Sequence, residues 1–254
     1  MSQIASPVPH TAPLLPALLV SDAVAGVLAG SVCAPLVAII DEAITLSAAG
    51  KKELWSAIGG KLFRITKAPV RFLRSASFLW LWAVYAVTYA TANAADSFAQ
   101  AVGHDPATPV LLCSTAANMG MCLLKDKAFA EMFGSADDKT NKTAGLSPQV
   151  LALWFWRDII TQFFVFTMPA LLAGHAPDLA VRLSAPVVAQ YFTSPLHLLG
   201  MKLFSAPIGT SIASQWAGVW KILASTIVAR QMRIFPAFSI GGVVNKALRH
   251  QSKL

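Results

Sequence analysis

The chain has 254 residues, of which 56% are hydrophobic and only 13% charged, and its mean hydropathy is +0.59. Soluble domains carry about a quarter charged residues, so this composition excludes an ordinary soluble protein. The formal net charge of +8 could indicate a nucleic-acid ligand, but the basic residues flank long apolar segments and form no nucleic-acid-binding motif. The sequence therefore predicts a membrane protein that does not bind nucleic acid.

The basic residues concentrate in three segments, and this distribution predicts the topology. Residues 51–74, 125–145 and 202–233 contain 15 of the 20 lysines and arginines. Cationic loops stay on the side of the membrane from which a protein is inserted, so these segments should share one face of the bilayer. Attraction to anionic lipid head groups would strengthen this preference. We expect apolar spans to join the segments in pairs, with both termini on the opposite face.

The first half of the chain contains three predicted spans and one surface segment. The first span is Leu14–Ile40, and the small residues around Gly26 and Gly30 predict close packing against another helix. Residues 51–74 form a basic segment with apolar residues at helical spacing, which is typical of a helix at the membrane surface. Two further uncharged segments are long enough to cross a bilayer. They are Ser75–Ala95 and Pro106–Leu124.

The second half of the chain is less regular. Residues 128–142 are predicted to form a second surface helix and loop, and a fourth span covers Ser147–Ala173. The fifth span is Leu183–Met201. The end of the chain is ambiguous, because Leu203–Trp220 and Ile234–Asn245 could each supply a sixth span. We prefer Ile234–Asn245, since it keeps a basic surface segment between the fifth and sixth spans.

Two charged residues, Arg157 and Asp158, lie inside the fourth span. A charge at membrane depth costs several kcal/mol, so such groups normally pair or face a cavity. Side chains of adjacent helical residues point about 100° apart, so we expect these two to have separate partners. They could contact a ligand or ion, or form a structural ion pair between helices, and we favour the structural pair. His197, in the fifth span, has no second histidine for a metal or haem site and should pack or hydrogen-bond.

No catalytic or cofactor-binding constellation is recognisable in the sequence. There is no Gly-rich phosphate loop, no Ser/His/Asp set and no metal-ligand spacing. The cysteines, Cys33, Cys113 and Cys122, lie in apolar surroundings and should be buried free thiols. Residues 1–19 contain no lysine or arginine, so no cleavable leader is expected. We expect no enzymatic activity and no cofactor, although the basic segments are compatible with a bound lipid such as cardiolipin.

Two prolines with similar downstream features indicate an internal repeat. Pro35 is followed by a tryptophan after about 20 residues, then by two arginines and an apolar segment, and Pro195 is followed by the same order of features. Each proline should kink its helix. The repeat predicts an all-α bundle of about six transmembrane helices in one domain, residues 1–254, an arrangement common in transporters. Its three two-span units would be 13–95, 106–173 and 183–248.

In this layout the chain resembles the mitochondrial carrier family, in which three two-span repeats each include a matrix-side surface helix. The signature of that family is Pro-x-Asp/Glu-x-x-Lys/Arg at the end of each odd span. It is not retained here, because Pro35 is followed by Val37 and Ile40 at the charged positions. Charged residues nevertheless lie near these span ends, out of register. They form a candidate matrix-side charge cluster of Asp41, Lys125, Asp126 and Lys202.

Two stretches are similar to an uncharacterised family of eukaryotic mitochondrial integral membrane proteins. They are Thr193–Gly200 and Arg233–Phe238, the second continuing to Asn245. This resemblance implies a multi-pass protein of the mitochondrial inner membrane. Combined with the charge distribution, it places the termini on the intermembrane-space side. It implies no particular activity.

Two functions from different classes fit these features. The intramembrane charges, the repeated layout and the polar third span favour a mitochondrial solute transporter of carrier type. The missing carrier signature and the scarcity of charged residues that could line a path for an anionic metabolite favour a structural accessory subunit of an inner-membrane complex. Large aromatic surfaces, such as those around Trp80 and Trp156, could contact lipid or a partner equally well. Such a complex would be a respiratory-chain assembly or ATP synthase, and its other membrane subunits would be the partners. Of the two, we favour the accessory subunit.

Overall fold

The computed structural model describes residues 15–133, 145–164, 168–172, 174–175, 177–234, 237 and 240–252. Among these residues the regular elements are all helices, as the sequence predicts. In chain order they are α1 (Leu15–Ala48), α2 (Leu54–Lys67), α3 (Pro69–Leu73), α4 (Ala76–Ala101), α5 (Ala107–Phe133), α6 (Pro148–Gln162), α7 (Met168–Leu171), α8 (Asp178–Ser205), α9 (Ile212–Ile234) and α10 (Gly241–Ser252).

Two helices of the described part are long and apolar enough to cross a membrane. They are α1, with 34 residues, and α5, with 27 residues. At 1.5 Å per residue these helices extend about 51 and 40 Å, more than the roughly 30 Å thickness of the hydrocarbon layer. The protein is therefore a membrane protein with transmembrane helices.

Helices α1 and α4 pack closely against each other. Gly26 and Gly30, four residues apart on α1, face the backbone of Ala90 and Ala86 on α4, with no room for a Cβ atom at either glycine. The indole N–H of Trp82 donates to the Ser31 hydroxyl, 3.0 Å away, across the same interface. Small residues spaced in this way allow two helix backbones to approach closely in a membrane. The predicted small face of the first span is confirmed.

The helices α2 and α3 lie where the sequence predicts a surface helix. Glu53 caps α2 by accepting hydrogen bonds from the backbone N–H groups of Ser56 and Trp55, and these bonds hold the pKa of its carboxyl below the ordinary value. Leu54 is buried against the bundle. The opposite side of α2 is exposed and includes Phe63, which is 64% accessible.

Two contacts define the ends of the bundle. The ammonium group of Lys202, near the end of α8, donates to the Ala48 carbonyl at the end of α1. Connections 49–53 and 206–211 therefore lie at the same end, which we call the α2 end. Arg249 of α10 pairs with Asp22 near the start of α1, 2.9 Å away. The first residues of α1 and the last helix thus share the opposite end, which we call the α10 end.

Several predicted boundaries are wrong. Helix α5 continues to Phe133 instead of ending at Leu124, because Lys125 and Asp126 are buried and paired and do not face water. The predicted surface helix therefore does not begin at residue 128, and residues 134–144 lie outside the described part. The fourth span is interrupted after Gln162, where α6 ends and two π-helical residues follow. The cysteines are all free, but only Cys33 is buried as predicted, since Cys113 is exposed and Cys122 is partly buried.

The end of the chain matches neither predicted alternative. Helix α8 ends at Ser205, within the segment 203–220, and α9 continues to Ile234, where the segment 234–245 was expected to begin. Between α9 and α10 the carbonyl of Ala237 accepts a hydrogen bond from the Tyr89 hydroxyl of α4, at 2.7 Å. The six-span carrier layout is not established by these helices, although the polytopic helical architecture agrees with the prediction.

Candidate functional site

Among the described residues, eight acidic, basic and histidine side chains from five helices lie together inside the bundle. Seven of them are buried, and Arg233 has a side chain that is 19% accessible. We call this group the central charge cluster. Its members are Asp41 on α1, Lys125 and Asp126 on α5, Arg157 and Asp158 on α6, His197 on α8, and Arg230 and Arg233 on α9.

Lys125 joins the two sides of the central charge cluster. Its ammonium group lies 3.0 Å from a carboxylate oxygen of Asp41 and also pairs with the neighbouring Asp126. The second oxygen of Asp41 accepts from Arg233. One carboxylate of α1 is thus held by cations from α5 and α9, and opposite charges compensate each other where water is excluded.

The guanidinium group of Arg157 makes the most contacts in the cluster. It donates two hydrogen bonds to Asp158, of 2.8 and 2.9 Å, and a third to Asp126 on α5. The Nδ1 atom of His197 lies 2.8 Å from the same guanidinium. The expectation of separate partners for Arg157 and Asp158 is wrong, because the long arginine side chain folds back onto its neighbour. The expected contact with other helices is present.

Arg230 differs from the other cations of the cluster. Its Nε atom donates to the side-chain oxygen of Gln190, 2.9 Å away, and no carboxylate of the described residues lies within ion-pair distance of it. Arg230 is only 3% exposed. The cluster holds four side chains that are cationic at neutral pH and three carboxylates. Arg230 is therefore a buried cation without a neutralising partner in the described part of the protein.

Two adjoining cavities lead to this cluster. The smaller cavity, of about 70 Å³, lies among the charged side chains, including Arg230 and Asp158. The larger one, of about 400 Å³, lies between α4, α5, α6 and α10, and its mainly apolar surface carries the polar ends of several uncharged side chains. Tyr85, Asn118 and Thr161 belong to both walls. The volume of the larger cavity is within the range of small-molecule binding sites.

A second polar cluster lies at the α10 end of the larger cavity. Arg249 donates to Asp22 and to Asp96, at 2.9 and 2.7 Å. The amides of Asn93 and Asn245 donate to each other's oxygens, both at 2.8 Å. These bonds attach α10 to α1 and α4. The larger cavity is therefore bounded by ion pairs at the α10 end and by the central charge cluster at its other end.

The structure brings together five of the predicted site residues, namely Asp41, Lys125, Asp126, Arg157 and Asp158, and His197 hydrogen-bonds with them as expected. Lys202, the other predicted cluster member, lies apart at the α2 end with its bond to Ala48. Pro35 and Pro195 lie inside α1 and α8. Among the described residues, no group of three or more His, Cys, Asp and Glu side chains is suited to hold a metal ion.

Sequence reasoning missed the role of α9. The charge pattern predicts that Arg230 and Arg233 belong to a basic surface segment, whereas the structure buries the first and pairs the second with Asp41. A signal was present, because Val219, Leu223 and Thr226 precede Arg230 at steps of three and four residues and form one buried helix face. Cations at the end of such a face are predicted to point into the bundle.

The comparisons with known proteins bear on function directly. A family model described as probable citrulline exporter matches residues 25–253. The search of curated proteins finds no match. This description points to a transporter, so the interpretation as a structural accessory subunit of a respiratory complex or ATP synthase is wrong, and the transporter alternative agrees better. The matching model is also not that of the mitochondrial carriers. The chain belongs to the probable citrulline exporter family.

Proposed function

We propose that this protein transports a neutral, zwitterionic amino acid across its membrane, and that citrulline is the first candidate substrate. The observation that carries the proposal is Arg230, a buried cation beside a cavity with no carboxylate partner among the described residues. The substrate would supply the missing negative charge.

The electrostatics of the central charge cluster support this role for Arg230. An uncompensated buried charge costs several kcal/mol, so an anionic group of a ligand would be stabilised beside it. A carboxylate suits a guanidinium group, because the two can form parallel hydrogen bonds. Asp158 and Thr161 line the same small cavity and could accept hydrogen bonds from the ammonium group of an amino acid.

The larger cavity supports a neutral side chain on the substrate. Its wall includes the amides of Asn93, Asn118 and Asn245, which can each donate and accept hydrogen bonds. The carbamoyl end of citrulline offers the same kinds of donor and acceptor. The charged residues of this wall, Asp96 and Arg249, already pair with each other. A cationic or anionic side chain would therefore find no net opposite charge there.

Transport also requires that the substrate can leave towards either side. The ion pairs of Arg249 lie between the larger cavity and the α10 end, and the pairs of Asp41 with Lys125 and Arg233 lie within the central charge cluster. We propose that these two sets of ion pairs separate alternately. A carboxylate bound at Arg230 would compete with Asp41 for the nearby cations and so weaken the central set.

The placement of the protein in its membrane is part of the proposal. Six crossings, with α9 and α10 together supplying the last, would put both termini on one side and the α2 end on the other. The exposed cations of α2 and α3 support an α2 end that faces the compartment of insertion. The resemblance to mitochondrial membrane proteins supports the inner membrane, with the α2 end in the matrix.

Uptake by the purified full-length protein tests the function. The protein is reconstituted in liposomes loaded with unlabelled citrulline, and entry of labelled citrulline is followed. We expect saturable uptake that glutamine, with its neutral amide, inhibits and that arginine and glutamate do not. Absence of uptake, or equal inhibition by arginine, would contradict the proposal.

Variants of two basic residues on α9 test the site. Arg230→Gln should lower uptake at least tenfold, while the thermal unfolding temperature stays unchanged or rises, because a buried uncompensated charge is removed. The matched control is Lys221→Gln, which removes an exposed cation from the same helix and should leave uptake unchanged. If Arg230→Gln transports normally, the carboxylate site lies elsewhere.

A further inference from the structure

A groove on the outer surface of α2 and α3 lies away from the cavities described above. It has a volume of about 610 Å³. Four basic side chains line it together with Phe63 and Phe72. The four are Lys61, Arg64, Lys67 and Arg71. The groove is thus both strongly cationic and partly aromatic.

The charges of the groove are only partly compensated. Lys61 pairs with Glu42 of α1 at 2.6 Å, and Lys67 lies 5.6 Å from the centre of the Phe63 ring. Among the described residues, no carboxylate forms an ion pair with Arg64, Lys67 or Arg71. The segment 54–73 contains no acidic residue at all. The groove therefore attracts an anion.

The break between the two helices shapes the groove. The residue before a proline is displaced from the helical conformation, and Ala68, which precedes Pro69, has φ −148° and ψ 66°. The Ala68 N–H still bonds to the Arg64 carbonyl, so α2 is completed before the chain turns into α3. The turn places Arg71 of α3 and Arg64 of α2 on the wall of one groove.

Exposed apolar side chains surround these cations. Phe63 and Val70 are 64% and 59% accessible, and Leu62, Leu73 and Trp55 are also exposed. In water this exposure would be unfavourable, but an amphipathic helix at a membrane surface places such residues among the acyl chains and its cations at the head groups. A free anion would use the cations only, whereas a lipid would use both sets of side chains.

We propose that this groove binds an anionic phospholipid of the membrane leaflet at the α2 end. The phosphate would lie between Arg64, Lys67 and Arg71, and the acyl chains would follow Phe63 and Val70. This site is independent of substrate transport, since neither cavity wall contains these residues.

Lipid-dependent stability of the full-length protein in detergent tests the site. Thermal unfolding is measured with added phosphatidylglycerol, which is anionic, with phosphatidylcholine, which is zwitterionic, and with inorganic phosphate. We expect phosphatidylglycerol to raise the unfolding temperature and the other two to leave it nearly unchanged. A rise of the same size with inorganic phosphate would overturn the assignment to a lipid, and a rise of the same size with phosphatidylcholine would overturn the need for an anion.

Two triple variants of equal charge separate a defined site from general attraction. Arg64→Gln with Lys67→Gln and Arg71→Gln should weaken the apparent affinity for phosphatidylglycerol at least about tenfold, given the contribution of each cation near anionic lipid. The control replaces three exposed cations outside the groove, and it should bind like the unchanged protein. Its substitutions are Lys51→Gln, Lys52→Gln and Arg74→Gln. Equal weakening by both triple variants would overturn the proposal.

A further variant tests the apolar half of the site. Phe63→Ser keeps all four cations and lies on the exposed side of α2, so the fold without lipid should be unchanged. We expect less phosphatidylglycerol to co-purify with this variant, as counted by native mass spectrometry. Unchanged co-purification would overturn the part of the proposal that places acyl chains along Phe63.

Discussion

Arg233, in the last turn of α9, pairs with Asp41, in the second half of α1, although 192 residues separate them in the chain. Asp41 also accepts from Lys125 of α5. One buried carboxylate thus connects the first long helix of the described part to a helix from the middle of the chain and to one near its end. Rearrangement of α9 therefore has to break or rebuild this contact, which makes it suitable as part of a gate.

Arg157 pairs with two carboxylates of the central charge cluster, so its removal should lower the stability of the fold. Arg157→Leu leaves Asp126 and Asp158 without their common cation, and loss of one partner from a buried ion pair costs about 3–5 kcal/mol. We expect a markedly lower unfolding temperature and less folded protein. Adding Asp158→Leu should restore part of the loss, because the charge left unpaired is then removed as well.

Arg74→Leu is the control for that variant, because it removes an exposed arginine between α3 and α4. Its unfolding temperature should stay within about a degree of the unchanged protein, as expected for surface substitutions. Equal stability of the Arg157→Leu and Arg74→Leu variants would show that the buried ion pairs do not stabilise the fold.

Two helical glycines should differ in their tolerance of substitution by alanine, because only one of them, Gly26, lies at the close contact of α1 with α4. Gly26→Ala places a methyl group against the Ala90 backbone, and overpacking of this kind costs about 1–3 kcal/mol. Gly59→Ala, on α2, meets open space and should stabilise its helix by up to about 1 kcal/mol. Thermal unfolding in detergent measures both. Equal tolerance of the two substitutions would mean that α1 and α4 separate more easily than their packing indicates.

The larger cavity predicts that a bulky residue in its wall stops transport. Ser114 of α5 lines the cavity, and within the described part of the chain its hydroxyl bonds to its own helix alone, at Val110 and Leu111. Ser114→Phe should therefore fill space in the cavity without breaking a hydrogen bond between described helices. We expect uptake of citrulline to fall at least tenfold. Leu112→Phe, two residues away at a position 63% exposed, should transport normally. Normal uptake by Ser114→Phe would place the substrate route outside this cavity.

The connections 49–53 and 206–211 lie at the same end of the bundle, and this predicts from which side introduced cysteines will react. In a variant without the three natural cysteines, single cysteines at Lys52 and Ile208 should react with a membrane-impermeant reagent from the same side of sealed vesicles. A cysteine at Asp105, between α4 and α5, should react only from the other side. The reason is that the Lys202–Ala48 contact holds the ends of α1 and α8 together. Reaction of all three from one side would rule out this topology.

Much of the fold could be predicted from local patterns. Uncharged apolar segments indicate the positions of α1, α4 and α5, and the glycines at 26 and 30 indicate a close helix contact, since these signals depend on a few neighbouring residues. The end of α5 could not be predicted in the same way. In the sequence, Lys125 and Asp126 indicate the start of a water-exposed segment. These charges can be buried only because α1 and α6 supply their partners.

The sequence by itself determined that the protein is helical and lies in a membrane, because composition and apolar segment length fix how much of a chain avoids water. It also marked Arg157, Asp158 and Asp41 as unusual charges. Only the tertiary structure decided that α9 contributes Arg230 and Arg233 to the same cluster, and that no carboxylate of the described residues pairs with Arg230. Charge balance inside a bundle depends on which distant helices meet, and that information is not contained in any single segment.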